Sequence, residues 1–291
     1  MRDIAPVWEA LWRSCPTATP FQTPAWLLSW WEYFHPGDLN GYIIESKGQL
    51  VAFAPFYREG NLLKLMGIGI SDYLDGLCRP EFAHALLSCV DQPAEFRQLR
   101  RCSPFFADNS EPDQPCPLLE FSAIPKRMTQ NIHYYTRRAE REGSVTWESV
   151  DYHNLRELLE GLIDLHTAEW QTRGRSGVLS DSDLRAFHRA AAPRLLEAGV
   201  LRMYGLRLNG RIIGVFYGFF HNGRLYCYLS GFSPDHQHVS PGTLVIAHAI
   251  QCARSEGATT LDFLRGEEPY KFLWGAQSQA TYRRIIDQPA S

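Results

Sequence analysis

The sequence lacks three features that would each indicate a class of protein. Its 29 Lys and Arg against 32 Asp and Glu leave a net charge of −3, whereas nucleic-acid-binding domains usually carry a strong basic excess. No apolar run approaches the roughly 18–20 residues of a membrane-spanning helix. The N-terminus, MRDIAPVWEALWRSC, contains acids and no apolar core, so no signal peptide is expected. We therefore predict a cytoplasmic protein that binds no nucleic acid and has no membrane span.

Cysteine pairs and metal-binding patterns are also missing. The seven Cys include no C-x-x-C, and this usage favours reduced thiols over a disulfide framework or a zinc site. His236 and His238 have no third candidate ligand near them in the sequence. His166 and Glu169 lie at i and i+3 of one predicted helix, where a surface pair or a pocket edge is the better interpretation. We predict no metal site.

Familiar catalytic motifs are absent as well. Serine-hydrolase, P-loop kinase and Rossmann patterns do not occur, and the G-x-G of GIGISDYLDGLCRP has no third Gly and no following helix. Its Asp72, Tyr73 and Asp75 are candidates for an acceptor-facing wall, because carbohydrates favour paired carboxylates and aromatic faces. A loop fixed by Asx-type hydrogen bonds is an equal alternative.

What the sequence does contain is a clear succession of helix and strand patterns. Thr23 before Pro24 predicts a helix start, and Ser180 or Asp181 predicts another. The pairs at 209–210 and 222–223, both Asn-Gly, predict hairpins that join three antiparallel strands. A Pro-rich and acidic stretch at 108–125 predicts the inter-domain connection. We predict an α/β (α+β) chain with domains at 1–124 and 125–291, the second completed by a last strand at 280–286.

The stretch 226–275 combines a strand, a small-residue turn and a helix start. An aromatic strand (226–230) leads to Ser240-Pro241-Gly242-Thr243, where a helix begins that ends at Gly257. The first turn of a helix has backbone N–H groups without helical partners, so this turn predicts an anion site. A short strand at 259–263 follows, and then a group of side chains that could carry chemistry: Asp262, Arg265, Glu267, Glu268, Tyr270 and Lys271.

This order of strands, turn and helix resembles the GNAT acyltransferases. The pyrophosphate loop of that family has the pattern Q/R-x-x-G-x-G/A, and Gln237-His-Val-Ser240-Pro-Gly242 matches it with Ser240 in place of the middle Gly. Longer segments resemble one branch, the CelD/BcsL-type acetyltransferases associated with bacterial cellulose and exopolysaccharide production: FQTPAWLLSWWEYF, ISDYLDGL, HTAEWQTRGRSG, YLSGFSPDHQHVSPGTLV and LDFLRGEEPYKFLWG.

The resemblance implies a fold and a co-substrate. Members of the branch resemble two tandem GNAT-like domains, each a mixed, mostly antiparallel sheet flanked by helices, the first without a coenzyme loop. Their layout is similar to that of the Fem-type aminoacyltransferases. Acetyl-CoA or another acyl-CoA would bind where the strands at 226–230 and 259–263 diverge. The residues implied in coenzyme binding are Ser230, Gly231 and Phe232 for the pantetheine arm, with Gln237, His238, Val239, Ser240, Gly242 and Thr243 for the pyrophosphate.

The resemblance also indicates catalytic and acceptor-binding candidates. Tyr270 lies where GNAT enzymes often place the Tyr that protonates the departing thiolate, and Asp262 and Glu267 are candidate bases. Each charge has a structural alternative: Asp262 paired with Arg265, Glu267 complementing a helix dipole, or Lys271 paired with Glu267 at i and i+4. The expected acceptor-binding residues are Asp72, Tyr73, Asp75, Trp170, Arg173, Arg265 and Lys271.

Three functions are consistent with these patterns. The first is an acyl-CoA-dependent N- or O-acyltransferase, acetyl in the first instance, that acts on a sugar, nucleotide sugar or related small acceptor. The second is a Fem-like aminoacyl or peptidyl transferase, which would need a basic groove for charged tRNA. The third is a non-enzymatic GNAT-like subunit of polysaccharide-synthesis machinery. The first is our prediction, and it leaves an association with that machinery open.

Overall fold

The helices and strands begin and end largely at the signals of the sequence. The computed structural model describes residues 1–287. The helices of that range are α1 Ala5–Ser14, α2 Pro24–Phe34, α3 Ala83–Ser88, α4 Lys126–Glu142, α5 Leu155–Thr172, α6 Ser182–Glu197, α7 Pro241–Ser255 and α8 Pro269–Leu273. Its strands are β1 Asp38–Leu39, β2 Tyr42–Ser46, β3 Gln49–Ala54, β4 Phe56–Glu59, β5 Leu62–Leu65, β6 Leu77–Cys78, β7 Ala94–Leu99, β8 Glu111–Pro112, β9 Leu118–Glu120, β10 Val145–Ser149, β11 Leu201–Leu208, β12 Arg211–His221, β13 Arg224–Phe232, β14 Thr260–Asp262 and β15 Tyr282–Ile286.

Side-chain caps fix two of the helix starts. The Thr23 hydroxyl accepts a hydrogen bond from the Trp26 amide at 3.1 Å, and Pro24 occupies the first helical position of α2. The Asp181 carboxylate accepts from the amides of Asp183 and Leu184 at 2.8 and 3.0 Å. These bonds satisfy amides that have no partner within the helix. Thr23 is confirmed as a cap, and Asp181 rather than Ser180 caps α6.

Two Asn-Gly turns build the central meander. Asn209 and Gly210 have φ values of +50° and +79°, and Asn222 and Gly223 have +48° and +69°. Positive φ at both central residues belongs to the type I′ turn, whose twist suits adjacent antiparallel strands. The turns join β11 to β12 and β12 to β13, which pair antiparallel along most of their length. The predicted three-stranded meander is confirmed.

The chain divides into two compact units. The first consists of Met1–Cys116 and the segment from Gln279 onward. Within residues 1–287 its larger sheet has the order β1-β4-β5-β7-β15-β8, with a smaller sheet β2-β3-β6. All neighbours are antiparallel except β5 and β7. Its core includes buried aromatic rings such as Phe56, Phe96 and Phe105.

The second unit, Pro117–Ser278, has one six-stranded sheet within the described residues, in the order β10-β11-β12-β13-β14-β9. All neighbours are antiparallel except β13 and β14. α7 packs on one face at Gly214, where a Cβ would lie 3.0 Å from Val245. Gly231 lies against the backbone of α5 and is paired with Val215, the residue after Gly214. Because successive residues of a strand face opposite sides of the sheet, α5 packs on the other face.

The two ends of the second unit are hydrogen-bonded to each other. The Leu118 amide donates to the Gln277 carbonyl at 2.9 Å, and the Gln277 amide donates back at 2.8 Å. Within the first unit, the Cys116 amide likewise donates to the Gln279 carbonyl at 2.9 Å. The second unit therefore enters and leaves its own fold at a single place.

The predicted fold class, an α/β (α+β) chain with two mostly antiparallel sheets flanked by helices, is confirmed. The expectation that the last strand completes the second domain is wrong. β15 pairs antiparallel with β7, from Tyr282 opposite Leu99 to Ile286 opposite Ala94. Strand periodicity predicts that a strand exists, but it does not select the partner. The division into units falls shortly before the predicted border at 124/125, because β9 pairs with β14.

Candidate active site

Two neighbouring strands of the second unit diverge. β13 and β14 run parallel and are paired from Arg224 opposite Thr260 to Tyr226 opposite Asp262. β13 then continues to Phe232, whereas the chain leaves the sheet after Asp262. Among the described residues, β14 therefore offers no ladder partner to β13 beyond Tyr226. This is the divergence that the GNAT resemblance implies, and it leaves backbone donors and acceptors along one edge of β13.

A β-bulge coincides with the divergence. Tyr217 of β12 is opposite Leu229, whereas the next residue, Gly218, is opposite Cys227. Tyr228 is thus the extra residue of the bulge. A bulge bends its strand and increases the local twist, so it gives a physical reason for β13 to turn away from β14 at this level.

The end of β13 leads to the N-terminus of α7. A 3-10 turn, Pro234–Val239, connects them, and Ser240 precedes Pro241, the first helical residue. Gly242 is the second, where an α-helix has no internal acceptor for the amide. A Cβ on Gly242 would lie 3.0 Å from Cδ1 of Phe232. The helix start and the last residue of β13 are therefore in close contact.

The predicted pyrophosphate loop is stabilised by hydrogen bonds within the loop itself. Ser240 has a φ of +48°, the left-handed region in which the family pattern carries Gly. Its carbonyl accepts from the Thr243 and Leu244 amides at 3.0 and 3.2 Å, and its hydroxyl donates to the Thr243 hydroxyl at 2.9 Å. Val239 is fully buried. The loop is a built turn whose side chains serve its own structure, so a ligand would meet mainly its backbone.

His238 contacts a carboxylate. Its Nε2 lies 2.6 Å from Glu142 of α4, while Nδ1 of His236 lies 2.8 Å from the Ser233 hydroxyl. Among residues 1–287, no three His, Cys, Asp or Glu side chains form a group that could hold a metal ion.

Gly231 lets α5 approach β13 closely. A Cβ at Gly231 would lie 2.8 Å from the Leu162 carbonyl oxygen and 2.9 Å from the His166 amide nitrogen, so any other residue would push the helix away. The middle of α5, from Leu162 to His166, is thereby fixed against Gly231, one of the three residues of β13 that the resemblance assigns to the coenzyme.

Asp262 is a buried, hydrogen-bonded carboxylate. The residue is 1% exposed, lies 3.5 Å from Nη1 of Arg224 and accepts a hydrogen bond from the Leu264 amide at 2.9 Å. Leu264 has a φ of +58°, which is strained for a branched side chain. The contacts of Asp262 therefore hold the turn that leads out of β14, a scaffold role built partly on Arg224.

Lys271 has partners that its sequence position does not reveal. The residue is 2% exposed, and its ammonium donates to the carbonyls of Leu264, Arg265 and Gly266 at 3.2, 2.8 and 2.9 Å. Its ion pair is with Glu268 at 2.8 Å, and the expected alternative, Glu267, accepts from the Ser278 hydroxyl at 2.9 Å. An ammonium has three hydrogens to donate, and the three carbonyls of this turn accept them.

Tyr270 is the second residue of α8, as predicted. Its ring packs edge-on against Phe263 at 5.9 Å, and 43% of the residue is exposed. Loss of water around the phenol raises its pKa, and the charges of Cys227, Glu268 and Glu169 raise it further. The phenol therefore keeps its proton at neutral pH, which a proton donor requires.

Glu169 is a buried carboxylate in the same neighbourhood. It is 6% exposed, and Nη2 of Arg173 lies 2.5 Å from its Oε1. Burial raises the pKa of Glu169, and Arg173 partly offsets that rise. Arg173 also lies over the Trp170 ring at 5.4 Å. The sequence signal was present, since Glu169 follows the inward-facing periodicity of α5, but the candidate bases chosen from the sequence were Asp262 and Glu267.

The first-unit candidates have structural partners of their own. Asp72, Tyr73 and Asp75 are buried. Asp75 accepts from the Ser103 hydroxyl at 2.7 Å and from the Gly76 amide at 2.9 Å, with Arg100 at 3.6 Å. Burial raises the pKa of Asp75 to about 6. These contacts fit the alternative of a loop fixed by its own acid, and an acceptor-binding role stays a prediction.

Comparison of the fold with solved structures gives full-length matches. FemX has a TM-score of 0.69 at 12% identity and covers 98% of this chain and 96% of its own. A C-terminal domain assigned to a lysylphosphatidylglycerol synthetase of Agrobacterium fabrum has 0.64 at 12%, covering 100% and 93%. A conserved protein of unknown function from Bacteroides thetaiotaomicron has 0.69 at 10%, covering 98% and 97%. At such low identities the likeness is one of fold.

Comparison with protein families identifies the second unit. No curated protein matches the chain, and no helix of the described part is long and apolar enough to cross a membrane. The family described as acetyltransferase (GNAT) domain matches residues 126–272, which contain β13, the loop, α7, β14 and most of α8. That match spans just over half of the chain and confirms the predicted enzyme class, an acyltransferase. The chain therefore belongs to the GNAT acetyltransferase family.

Proposed function

We propose that this protein transfers an acyl group, acetyl in the first instance, from acyl-CoA to the nitrogen or oxygen of a small acceptor. GNAT domains generally use acyl-CoA. The finer assignment is to the CelD/BcsL-type branch, with a sugar or nucleotide sugar of cellulose or exopolysaccharide metabolism as acceptor. It rests on the sequence segments that resemble that branch.

The divergence of β13 from β14 is the observation that carries the proposal. The edge of β13 from Cys227 to Phe232 offers backbone groups to an extended ligand, in the way that a peptide adds to a sheet edge. The pantetheine arm has amides suited to this role. The α7 N-terminus lies where the edge ends, in contact with Phe232, and its Gly242 amide and helix dipole favour an anion such as pyrophosphate.

The chemistry of the site follows from the groups that remain available. The thioester supplies an activated acyl carbon when acyl-CoA is bound. Tyr270 holds its proton at neutral pH and would donate it to the departing thiolate. Asp262 and Lys271 hold the turn beside it, so we assign them to positioning. Glu267 is exposed and engaged with Ser278, which makes it a poor site for a base.

The second unit includes a cavity that is lined by residues with polar groups. It has a volume of about 330 Å³ and lies between the end of α5 and the loop that follows, lined by Thr167, Gln171, Gly174, Arg175, Ser176, Gly177 and Ser180. Its hydroxyl, amide and guanidinium groups match the hydrogen-bonding groups of a sugar. We propose that this cavity, with Trp170 and Arg173, contributes to acceptor binding.

Calorimetry with acetyl-CoA tests the coenzyme site. We expect binding to the wild-type protein and weaker binding to Thr243→Asp, because a carboxylate at the third helical position would repel the pyrophosphate. The same change complements the helix dipole by about 0.3–1 kcal/mol, so the melting temperature should not fall. Gly242→Asp should weaken binding as well, although its Cβ would crowd Phe232. Gln251→Asp, on an exposed position of α7, is the matched control and should bind normally.

The outcomes separate the rival functions. If folded wild-type protein gives no heat with acetyl-CoA or longer acyl-CoAs, the acyl-CoA proposal is wrong. Transfer from charged tRNA would then support the Fem-like alternative, which the net charge of −3 does not favour. If Thr243→Asp binds acetyl-CoA as tightly as Gln251→Asp does, the loop is not the pyrophosphate site.

A further inference from the structure

Glu169 is a buried carboxylate that no step of the reaction has used so far. Asp262 is engaged with Arg224 and the Leu264 amide, and Glu267 with Ser278. We propose that Glu169 is the general base that takes the proton from the attacking nitrogen or oxygen of the acceptor. The inference rests on the proposed acyl-CoA function and adds the residue that activates the nucleophile.

The position of α5 places Glu169 at the coenzyme strand. Gly231 of β13 is in contact with the α5 backbone at Leu162 and His166, and Glu169 lies on the same inward face, one turn beyond His166. Both His166 and Glu169 are buried. Glu169 therefore belongs to a helix that packs against the strand along which we place the pantetheine arm, and a base on such a rigid element is preorganised.

The charged and titratable groups related to Glu169 lie on its own helix and at Tyr270 of α8. Arg173, on the same helix, pairs with it at 2.5 Å. His166, one turn earlier, stays neutral at physiological pH because burial lowers its pKa to about 4. Tyr270 of α8 feels the charge of Glu169 and also those of Glu268 and Cys227, and burial raises the pKa of the Cys227 thiol to about 12. Arg173 is therefore the cation that favours the ionised form of Glu169.

Glu169 and Tyr270 together account for both proton transfers of the reaction. The charge of Glu169 is near enough to raise the pKa of the Tyr270 phenol. As the bond from nitrogen or oxygen to the acyl carbon forms and the carbon–sulfur bond breaks, one proton passes from the nucleophile to Glu169. One proton passes from Tyr270 to the thiolate. Transfer of a proton from Glu169 back to Tyr270 then restores both groups, so no external acid or base is consumed.

The raised pKa of Glu169 suits this role. Burial raises the pKa of the Glu169 carboxyl above its ordinary value, and general bases work best when their pKa lies near the working pH. Removal of such a base usually costs roughly 10²–10⁴ in rate.

The test measures CoA release from acetyl-CoA, with water or glucosamine as the nucleophile, alongside calorimetric affinity for acetyl-CoA. We expect Glu169→Gln to lose roughly 10² or more of the enzyme-dependent rate while its affinity stays unchanged. Glu160→Gln is the matched control, because it removes another α5 carboxylate that pairs with an arginine, Arg189, at 2.7 Å. It should release CoA at the wild-type rate.

Arg173 variants distinguish a base from a structural carboxylate. Since Arg173 lowers the pKa of Glu169, Arg173→Gln should move the acidic limb of the pH–rate profile to higher pH, whereas Arg173→Lys should leave it nearly in place. A structural ion pair would change stability without moving that limb.

Several results would overturn the assignment of Glu169 while leaving the coenzyme site intact. They are wild-type turnover in Glu169→Gln, an unmoved acidic limb in Arg173→Gln, or a wild-type protein that binds acetyl-CoA and releases no CoA above buffer. Failure of the wild-type protein to bind any acyl-CoA is a different result, because it would refute the proposed function itself.

Discussion

The ammonium group of Lys271 and the carbonyl oxygen of Leu264 are 3.2 Å apart, and this bond joins a buried charge to a strained residue. Leu264 has a φ of +58°, a conformation that costs roughly 1–2 kcal/mol for a residue with a Cβ. Asp262 holds the Leu264 amide, and Lys271 holds three successive carbonyls after it. The turn between β14 and α8 is thus fixed from both sides, and Tyr270 directly precedes the lysine.

Replacement of Lys271 by Met should destabilise the protein by roughly 3 kcal/mol or more, because it leaves several buried carbonyls without donors. Urea unfolding measures this loss. Turnover should fall with it, since Tyr270 loses its support, while affinity for acetyl-CoA changes little. Lys126→Met, at the exposed start of α4, is the control. If Lys271→Met is as stable as that control, the ammonium does not hold the turn.

Replacement of Ser240 by Gly should raise the free energy of unfolding of the protein. The φ of Ser240, +48°, suits Gly, and the change relieves strain of about 1 kcal/mol. Ser240→Ala removes the hydroxyl bond to Thr243 but keeps the strain, so the difference between the Gly and Ala variants isolates the backbone effect. Unfolding free energies of both variants provide the measurement. Equal stability of the two would mean that the left-handed turn costs nothing here.

Tyr270→Phe should reduce CoA release by roughly 10² with little change in acetyl-CoA affinity, because it removes the proton offered to the thiolate and keeps the ring against Phe263. Tyr152, which is 69% exposed, gives the matched control as Tyr152→Phe. Thiol detection of released CoA measures turnover, and calorimetry measures affinity. Turnover at the control level would exclude Tyr270 as the acid.

Asp75 predicts a pH dependence of stability. Its pKa in the folded protein, about 6, lies above the ordinary value of 3.8, so the folded state binds a proton that the unfolded state releases. The stability gained in this way is complete below about pH 4 and is lost as pH rises through 6, a change on the order of 2–3 kcal/mol. Asp75→Asn should remove that slope from urea unfolding measured at pH 4–7.

Asp38→Asn, at an exposed strand residue, should keep the slope that Asp75→Asn removes. If the wild-type slope survives in Asp75→Asn, some other group is responsible for it.

Local signals in the sequence were sufficient for much of the fold. The caps at Thr23 and Asp181 and the two Asn-Gly turns depend on hydrogen bonds or φ values of only a few neighbouring residues. The local sequence is therefore enough to predict them. The divergence of β13 and β14 followed from the GNAT resemblance. The partner of β15 did not follow, because β7 lies far away in the sequence and any exposed strand of suitable register could have paired with it.

The candidate site was less accessible from the sequence for the same reason. Asp262 looked like a base beside Arg265, but its contacts include Arg224 on the neighbouring strand. Lys271 looked like an acceptor-binding cation or the partner of Glu267, and only the folded turn brings three carbonyls within its reach. Glu169 fits the buried periodicity of α5, yet its importance comes from Gly231 and Tyr270, which are remote in sequence.

The bonds between Leu118 and Gln277 have a consequence for how this polypeptide can be cut. The chain builds most of the first unit, then the whole of the second, and then returns to the first unit with β15. A truncation after residue 278 therefore removes an internal strand, β15, from the first unit and is not the loss of a tail. The second unit has adjacent ends and its own sheet, so it is inserted into the first unit as a domain. A chimera should therefore exchange residues 117–278 as one piece.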